Sequence, residues 1–335
     1  MSKDYSKKQV EWGTIGSNYF LKKNMWDIAF KVFRTILLFG MCFLILQPLL
    51  DKLSVSFMGQ QDLYDGTVIS IPRNFTFANY GLASQLLNFW PSVFQTLIIV
   101  LISATLQIAA CTMAGYGFAR FKFPLRNFWF ICVMLIIVVP PQTIMSSLYL
   151  NFRFFDIFGI FRLITGEPIN MLDSVMGLML LSATGMGLKC GLYIFMLRQY
   201  FRGMPKELEE AAWVDGCGKL RTFIQIMLPD AAPILTSCFL FSFVWQWTDS
   251  FYSTLFLSNF RMLAGELSGI ANRYSQWWAA LNVSTGGGVS AYAPIGQTQM
   301  MIATGMLMCL APLIILYMVA QKAFVESLSQ TGIKM

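Results

Sequence analysis

Long runs of apolar residues without charges alternate with short charged segments along the chain. A helix needs about 20 apolar residues to cross the hydrocarbon core of a bilayer, and a charge near its centre costs about 3 kcal/mol. By this criterion the sequence predicts an all-α, polytopic membrane protein with six transmembrane helices. We place these helices at about 32–50, 90–118, 127–150, 174–198, 232–257 and 299–321.

Four of the predicted spans have irregular features. The first is short, and Lys31 and Arg34 can snorkel from one end of it. The fourth contains Lys189 and the fifth contains Asp249, so each carries one ionisable residue. The sixth contains Pro312, which predicts a kink in that helix.

The composition agrees with a membrane protein. Of the 335 residues, 56% are hydrophobic and 12% are charged, mean hydropathy is +0.59, and histidine is absent. These values exclude a typical water-soluble domain. The seven cysteines fall mostly inside the predicted spans and lack metal-ligand spacing, so we expect neither a metal site nor a cofactor.

Lysine and arginine predict the orientation, because short cytoplasmic loops retain positive charge. With the N-terminus inside, seventeen of the 24 such residues fall on the cytoplasmic side. Both termini are therefore predicted to be cytoplasmic, and residues 1–30 form a cytoplasmic N-terminal segment. The net charge of +7 is explained by this topology and by contact with anionic membrane lipid, so we expect no nucleic-acid partner.

A polar segment at 199–231 separates the fourth and fifth spans. It contains ELEEAAWVDGCGKLRTFIQIMLP, which runs from Glu207 to Pro229. In the predicted topology this segment is the longest internal cytoplasmic connection. It is therefore accessible to a soluble partner.

The polar segment has the pattern of two helices joined by a turn. Glutamates near its start predict a first helix from about Lys206 to Val214, and Gly216 permits a sharp turn. A second helix, ended at the membrane by Pro229, carries apolar residues at helical spacing, namely Leu220, Phe223, Ile224, Met227 and Leu228. Charge and periodicity alone fit an amphipathic hairpin on the bilayer surface equally well.

The spacing within this segment is more specific than its periodicity. Glu210-Ala211-Ala212 is followed by three residues, Gly216, nine residues, Ile226, one residue and Leu228-Pro229. This pattern resembles the EAA loop (EAA-x3-G-x9-I-x-LP) of bacterial ABC importer permeases, which lies on the cytoplasmic side before the penultimate span. The stretches GYGFARFKFP, LRQYFRGMPKELEEAAWVDG and QTGIKM are similar to the carbohydrate-uptake branch with maltose-type permeases. The resemblance covers the chain from about Ile71 to the C-terminus.

The resemblance implies a transmembrane permease domain at 31–335 in the bacterial plasma membrane, with 199–231 as its cytoplasmic coupling loop. It implies a heterodimer with a second permease subunit, a pair of ATP-hydrolysing subunits, and an extracytoplasmic binding protein that delivers a sugar or oligosaccharide. The chain itself is then not an enzyme. Its own residues agree, since Gly218-Lys219 is followed by Leu220 and lacks the upstream glycine of a phosphate-binding loop.

The same resemblance implies roles within the loop. Glu210 would pair with a basic residue in a groove of the ATPase, Ala211 and Ala212 would permit close contact, and Gly216 would form the bend. The residues implied in ATPase coupling are Glu210, Ala211, Ala212, Asp215, Gly216, Ile226, Leu228 and Pro229.

Ionisable residues inside a membrane are costly and therefore mark candidate positions on a substrate pathway. Lys189 lies in GMGLKCG, where the spacing of Gly187 and Gly191 permits close helix packing. One buried positive charge also suggests an anionic sugar. Alternatively, Lys189 snorkels outward or is neutralised by a structural partner.

Aromatic residues surround Asp249 in WQWTDSF, which resembles the W-N-x-F-type stretch of sugar permeases with Thr248 in place of the usual asparagine. Trp245, Trp247 and Tyr252 could stack on the apolar faces of sugar rings while Asp249 accepts hydroxyl hydrogens. An interfacial aromatic belt explains the same aromatic residues.

Three other functions remain open at the level of sequence. The chain could be a permease for another small solute, such as a glycerol phosphate or a polyamine. It could be a membrane scaffold whose loop recruits a cytosolic protein without stimulating ATP hydrolysis. It could also be a secondary transporter, which would follow an ion gradient and ignore ATP depletion.

Overall fold

The computed structural model describes residues 3–68, 71–157, 159–284 and 293–333. Regular structure in these ranges is helical, with two isolated β-bridges at Met58–Phe75 and Phe155–Ile169. The all-α prediction is confirmed. The glycines and serines of NVSTGGGVSAYAP at 282–294 predict a flexible outer loop, and this stretch falls largely on 285–292, outside the described residues. The helices are α1 Lys3–Phe57, α2 Ala78–Leu86, α3 Phe89–Arg120, α4 Arg126–Val138, α5 Met145–Arg153, α6 Ile160–Thr165, α7 Val175–Ala183, α8 Cys190–Gly203, α9 Glu207–Val214, α10 Lys219–Thr222, α11 Leu228–Asp230, α12 Ala232–Trp247, α13 Phe251–Phe256, α14 Leu263–Ser268, α15 Ile270–Ser284 and α16 Ile295–Ile333.

The chain divides into two compact units, 1–75 and 76–335. In the first unit, α1 continues through the predicted boundary at residue 30 and through the first predicted span. The segment after α1 is organised by Asp62, whose carboxylate accepts hydrogen bonds from the backbone N–H groups of Arg73 (2.9 Å) and Asn74 (2.7 Å). The Asn74 backbone donor is the largest of several causes that lower the pKa of Asp62 below its usual value.

Three helical stretches in the described residues are long and apolar enough to cross a bilayer by themselves, namely Trp26–Phe57, Phe89–Arg120 and Ile295–Gln321. Two further candidates are helix pairs with a sharp bend. Arg126–Val138 meets Pro141–Arg153 at 100°, and Lys219–Asp230 meets Ala232–Trp247 at 76°. The chain is therefore a multi-pass membrane protein, and several of its spans are broken.

The third and the fourth predicted spans are each interrupted, and local backbone chemistry explains both breaks. In the third predicted span, α4 ends before Pro140 and a short 3₁₀ turn begins at Pro141, because proline lacks a backbone N–H and disfavours a helical preceding residue. In the fourth, α7 and α8 are separated by a segment with Gly185 and Lys189 at φ +70° and +61°. Hydropathy did not reveal either break, because it reports composition and not the continuity of helical hydrogen bonds.

Helix α3 forms the axis of the second unit. It packs against α7, α8, α12 and α14. Two apolar clusters lie along α3. One cluster contains Ile99 and Val100 of α3 together with Phe243 and Trp247 of α12. Ile108 and Cys111 belong to the other, formed largely with α8 and the start of α12.

Two glycines allow helices to approach closely in this unit. A Cβ atom added at Gly115 of α3 would lie 2.8 Å from Leu197 Cβ of α8. A Cβ atom added at Gly191 of α8 would lie 2.8 Å from the Val133 carbonyl oxygen of α4. The prediction that Gly191 permits close packing is consistent with this contact.

We predict that Gly115→Ala destabilises the protein by about 1–3 kcal/mol, because the added methyl group overpacks a helix contact that has no room for it. The measurement is the thermal unfolding midpoint of the detergent-purified protein. The matched control is Gly203→Ala at the end of α8, where an added Cβ meets nothing within 4 Å. Equal midpoints for the two variants would contradict the prediction.

Candidate functional site

The polar segment 199–231 begins with α9 and a tight turn. Helix α9 carries three glutamates in its first turn. It ends in a reverse turn at Gly216, which has φ +81°. The N–H of Gly216 donates to the Trp213 carbonyl (3.1 Å) and that of Cys217 to the Ala212 carbonyl (2.9 Å), the pattern of a Schellman motif. The helix and the bend lie where the sequence predicts them.

The second predicted helix of this segment is irregular. It consists of α10, a π-helical turn at Phe223–Met227, and α11. The N–H of Leu228 bonds to the Phe223 carbonyl five residues earlier, just before Pro229, whose missing N–H interrupts the normal ladder. The helix ends at Asp230, one residue beyond the predicted end, because proline is tolerated in the first turn of a helix.

The inner face of α9 is attached to α3 by a buried polar cluster. Tyr116 Oη donates a hydrogen bond to Glu209 Oε1 (2.8 Å), and Arg120 Nε lies 3.5 Å from Glu209 Oε2. Arg120 Nη2 also donates to the Met204 carbonyl just before α9 (2.9 Å). The side chains of Arg120 and Glu209 are only 8% and 7% exposed. Helix α9 is thus held to the end of α3 by a desolvated ion pair.

The outer face of α9 and its turn is exposed in the described part of the chain. Glu210, Ala211, Asp215 and Gly216 are exposed there, whereas Ala212 is buried within the chain. Of the two alanines that the resemblance implies in close contact with the ATPase, only Ala211 therefore lies on the outer face, because adjacent helical residues point about 100° apart. Of the other motif residues, Pro229 is exposed, and Ile226 and Leu228 are half-buried.

Large apolar side chains accompany these polar residues on the outer face. Val214 is 88% exposed and Leu220 is 72% exposed, on either side of the Gly216 turn. We name Leu208, Glu210, Ala211, Val214, Asp215, Gly216 and Leu220 the outer surface of the segment. Exposed apolar side chains bordered by acidic ones are typical of surfaces that contact a protein or a membrane.

A buried polar layer lies deeper in the same unit, where the two apolar clusters meet on α3. The Gln107 side-chain Nε2 donates to the Leu188 carbonyl and lies 3.1 Å from Cys190 Sγ. Its Oε1 accepts from Ser242 Oγ (3.2 Å) and from Gln246 Nε2. One glutamine therefore connects α3, the break before α8, and α12.

The structure brings together two of the predicted pathway residues beside this layer. The Lys189 ammonium lies 5.0 Å from the ring centroid of Trp245, a cation–π distance. Lys189 is exposed, and Trp245 is 47% exposed on α12. These two side chains form an accessible pair.

The other predicted pathway residues have structural contacts. Trp247 is buried, stacks on Phe243, and donates its indole N–H to the Cys309 carbonyl (3.2 Å). Asp249 accepts hydrogen bonds from the backbone N–H groups at the start of α13, including that of Tyr252 (2.9 Å). Asp249 is thus a helix cap, and its position after the end of α12 follows from that role.

Asp249 and Tyr252 also line a small enclosed cavity together with Gln246 and Ser182. Its volume is about 20 Å³. That volume accommodates roughly one water molecule, since a water needs at least about 10–15 Å³. A sugar ring does not fit there in this conformation.

Sequence reasoning did not identify the polar layer or the buried ion pair. Gln107 and Gln246 are uncharged, so a search for ionisable residues in the spans passes over them. Tyr116 and Arg120 do carry a signal, since they stand four residues apart on α3 and share one helix face. Charge and periodicity alone do not decide whether Glu209 or its neighbour Glu210 faces inward, although the EAA resemblance implies that Glu210 faces the ATPase.

We predict that Glu209→Gln lowers the stability of the protein by about 3 kcal/mol, because it leaves the buried Arg120 charge without a counter-charge. Thermal unfolding in detergent and proteolysis of the segment measure the effect. The matched control is Glu210→Gln, which changes an exposed side chain and leaves the midpoint unchanged. A stable Glu209→Gln variant with normal protease resistance would refute the role of the ion pair.

Several known proteins are similar to this chain over most of its length. A probable ABC transporter permease protein of Pyrococcus horikoshii is 29% identical over 215 residues, covering 63% of this chain and 71% of that protein. The arabinooligosaccharides transport system permease protein of Halalkalibacterium halodurans is 24% identical, covering 87% and 92%. The sn-glycerol-3-phosphate transport system permease protein of Escherichia coli is 24% identical, covering 88% and 94%.

A solved structure and a family model complete the comparison. The fold matches a chain of a bacterial ABC transporter involved in the import of the acidic polysaccharide alginate, with a TM-score of 0.65, 20% identity, and coverage of 89% of this chain and 97% of that one. Residues 107–330 match the model of the binding-protein-dependent transport system inner membrane component. That match spans more than half of the chain and includes both α9 and the polar layer. The chain therefore belongs to this family, the membrane-embedded permease subunits of ABC importers.

Proposed function

We propose that this permease translocates a sugar or oligosaccharide delivered by an extracytoplasmic binding protein, driven by a separate pair of ATPase subunits. The proposal for a carbohydrate is supported by the names of similar proteins, one of which transports arabinooligosaccharides. A glycerol phosphate, named for another relative, is the alternative solute. The bacterial plasma membrane is the expected location.

The observation that carries the proposed coupling is the two-sided construction of segment 199–231. Its inner side is fixed to α3 through Glu209 and Arg120. Its outer surface exposes apolar and acidic side chains, including Val214 and Leu220. Such a segment can receive a partner on one face while the other face remains attached to the membrane helices.

Within the proposed complex, the outer surface docks in a groove of one ATPase subunit. Glu210 and Asp215 supply negative charge for basic residues of that groove, and Val214 and Leu220 bury their apolar surface there. Gly216 forms the turn, since only a residue tolerant of φ +81° keeps α9 and α10 in this relation.

Movement of the ATPase pair is then transmitted to the transmembrane helices. A displacement of α9 pulls on Arg120 and Tyr116 at one end of α3. Helix α3 carries Gln107 in its middle, so the same displacement reaches the break before α8 and the polar residues of α12. The chain supplies no catalytic group in this scheme. It converts a movement outside the membrane into a rearrangement within it.

A second permease subunit completes the pathway. The exposed side chains of α12 include Phe241, Val244 and Trp245. Two halves that face each other across such surfaces would enclose a central route for substrate. Of the pathway residues expected from sequence, Lys189 and Trp245 remain candidates for lining this route, while Trp247, Asp249 and Tyr252 contribute to packing and capping around it.

Two other functions predict different behaviour. A scaffold would bind a cytosolic protein without stimulated ATP hydrolysis, and a secondary transporter would work without an ATPase. The experiment that separates them is co-purification of the chain with its associated subunits, followed by ATPase and uptake measurements in proteoliposomes. An associated ATPase with substrate-stimulated hydrolysis supports the importer.

We predict that Glu210→Ala lowers ATP-driven uptake at least tenfold without unfolding the permease, because it removes a charge from the docking surface only. The measurement is uptake in proteoliposomes together with the amount of ATPase that co-purifies. The matched control is Glu207→Ala, an exposed glutamate at the start of α9 that lies outside the motif. Full uptake with Glu210→Ala would contradict the proposed coupling.

We predict that a membrane-impermeant maleimide labels Cys217 from the cytoplasmic side only, because both termini and segment 199–231 are expected there. A variant that retains Cys217 as its single cysteine is compared in intact cells and in inside-out vesicles. Ser258→Cys in a background without other cysteines tests the opposite side, since the loop after α13 is expected to be outside. Labelling of Cys217 in intact cells would reverse the topology and remove the basis for ATPase coupling.

A further inference from the structure

Lys189 is a cation within a predicted membrane span and has no acidic partner in the described part of the chain. The ion pairs found there are Arg73–Asp65, Arg120–Glu209 and Arg273–Glu266, and none includes Lys189. Inside a membrane span such a charge is costly unless a cavity, water or ligand solvates it. Lys189 is exposed in the described part of the chain, so a ligand can reach its ammonium group.

The backbone presents Lys189 in a defined way. It stands at the end of the break between α7 and α8, in the left-handed conformation with φ +61°. Residues other than glycine adopt this conformation rarely, and such strain is concentrated at functional sites. The preceding carbonyl, that of Leu188, accepts a hydrogen bond from the buried Gln107 side chain. The hydrogen bond from Gln107 thus fixes the backbone at the break, and Lys189 is the next residue along the chain.

Trp245 provides the second half of the arrangement. The Lys189 ammonium lies 5.0 Å from the centroid of its ring, and nearly half of the Trp245 side chain is exposed on α12. The adjoining residues Val244 and Thr248 on this face of α12 are exposed as well. A positive charge and an open aromatic face therefore lie side by side on one accessible surface.

This combination matches one class of ligand. The apolar C–H face of a sugar ring stacks on an indole, and a carboxylate attached to the same ring can accept hydrogen bonds from an ammonium. A neutral sugar can accept a hydrogen bond from the ammonium through a hydroxyl oxygen, but it supplies no counter-charge for Lys189.

We propose that Lys189 and Trp245 form a subsite that selects carbohydrates with an anionic group, specifically uronic acid units with a carboxylate. This inference rests on the proposed function, because it assumes that the accessible face of α12 lines the substrate route. Lysine is suited to the task as a compact, mobile point charge that can release its ligand as the route changes conformation. Arginine would hold the same carboxylate through two parallel hydrogen bonds.

The test uses the complete complex with its ATPase and binding protein in lipid nanodiscs and proteoliposomes. Two oligosaccharides of equal length are compared as probes, one containing uronate units and one neutral, with a sugar phosphate as a third probe. We expect the uronate probe to stimulate ATP hydrolysis and to be taken up. Lys189→Met should raise its KM roughly 10- to 100-fold, the effect of losing one charge-assisted hydrogen bond, and Lys189→Arg should restore most of the uptake.

The controls separate a role in recognition from a role in folding. Lys122→Met removes an exposed lysine outside the spans and should leave all uptake unchanged. Trp245→Ala should weaken uptake of the uronate probe, and Trp245→Phe should preserve part of it. Correct assembly of each variant is measured by size-exclusion chromatography and by its basal ATPase rate.

Four results would overturn the proposal. The first is ATPase stimulation by the neutral probe or the sugar phosphate but not by the uronate probe, and the second is stimulation by none of the probes. The third is normal uptake of the uronate probe by Lys189→Met, and the fourth is an equal loss of uptake of all probes in that variant. The last result would indicate that Lys189 balances a charge on another subunit. Stimulation by the sugar phosphate alone, or by none of the probes, would also count against a carbohydrate substrate. Coupling to an ATPase is tested separately, by ATPase association and by Glu210→Ala.

Discussion

The rest of the arrangement depends on one buried ion pair, between Glu209 of α9 and Arg120 of α3. Each charge is almost fully withdrawn from water, so removing one partner would leave the other uncompensated at a cost of about 3–5 kcal/mol. Tyr116 supplies a further hydrogen bond to the same carboxylate. A short polar helix outside the predicted spans is thereby made a mechanical extension of a transmembrane helix, while its opposite face remains available to another protein.

The cost of leaving a buried polar group without a partner also governs the broken spans. Backbone N–H and C=O groups released by a helix break are expensive in a membrane and persist only where other groups satisfy them. The Gln107 side chain satisfies the carbonyl before Lys189, and the Asp249 carboxylate accepts the backbone donors at the start of α13. Polar side chains therefore gather at the breaks for structural reasons. They also place hydrogen-bonding chemistry, and one lysine, beside an accessible surface.

A contiguous set of contacts joins the Glu209–Arg120 ion pair to the break before α8. Glu209 is bound to Arg120 at the end of α3. Gln107 lies thirteen residues before Arg120 on the same helix, and the Gln107 amide donates to the backbone carbonyl that precedes Lys189. A rigid helix can transmit displacement along this line because its backbone hydrogen bonds resist compression. Helix α3 is suited to that role, since it is continuous where the neighbouring α4–α5 and α7–α8 spans are interrupted.

The sequence by itself determined the helical class, most of the spans, helix α9 and the turn at Gly216. These features depend on local hydrophobicity, on charge near helix ends and on the freedom of glycine at positive φ. Only the tertiary structure decided that Glu209, beside the outward Glu210, is buried against α3, that Ala212 is buried while Ala211 is not, and that Trp245 rather than Trp247 is accessible. Each of these pairs has the same residue type at both positions, so composition cannot separate them. What distinguishes them is the neighbour that each side chain meets, and those neighbours come from helices distant in the chain.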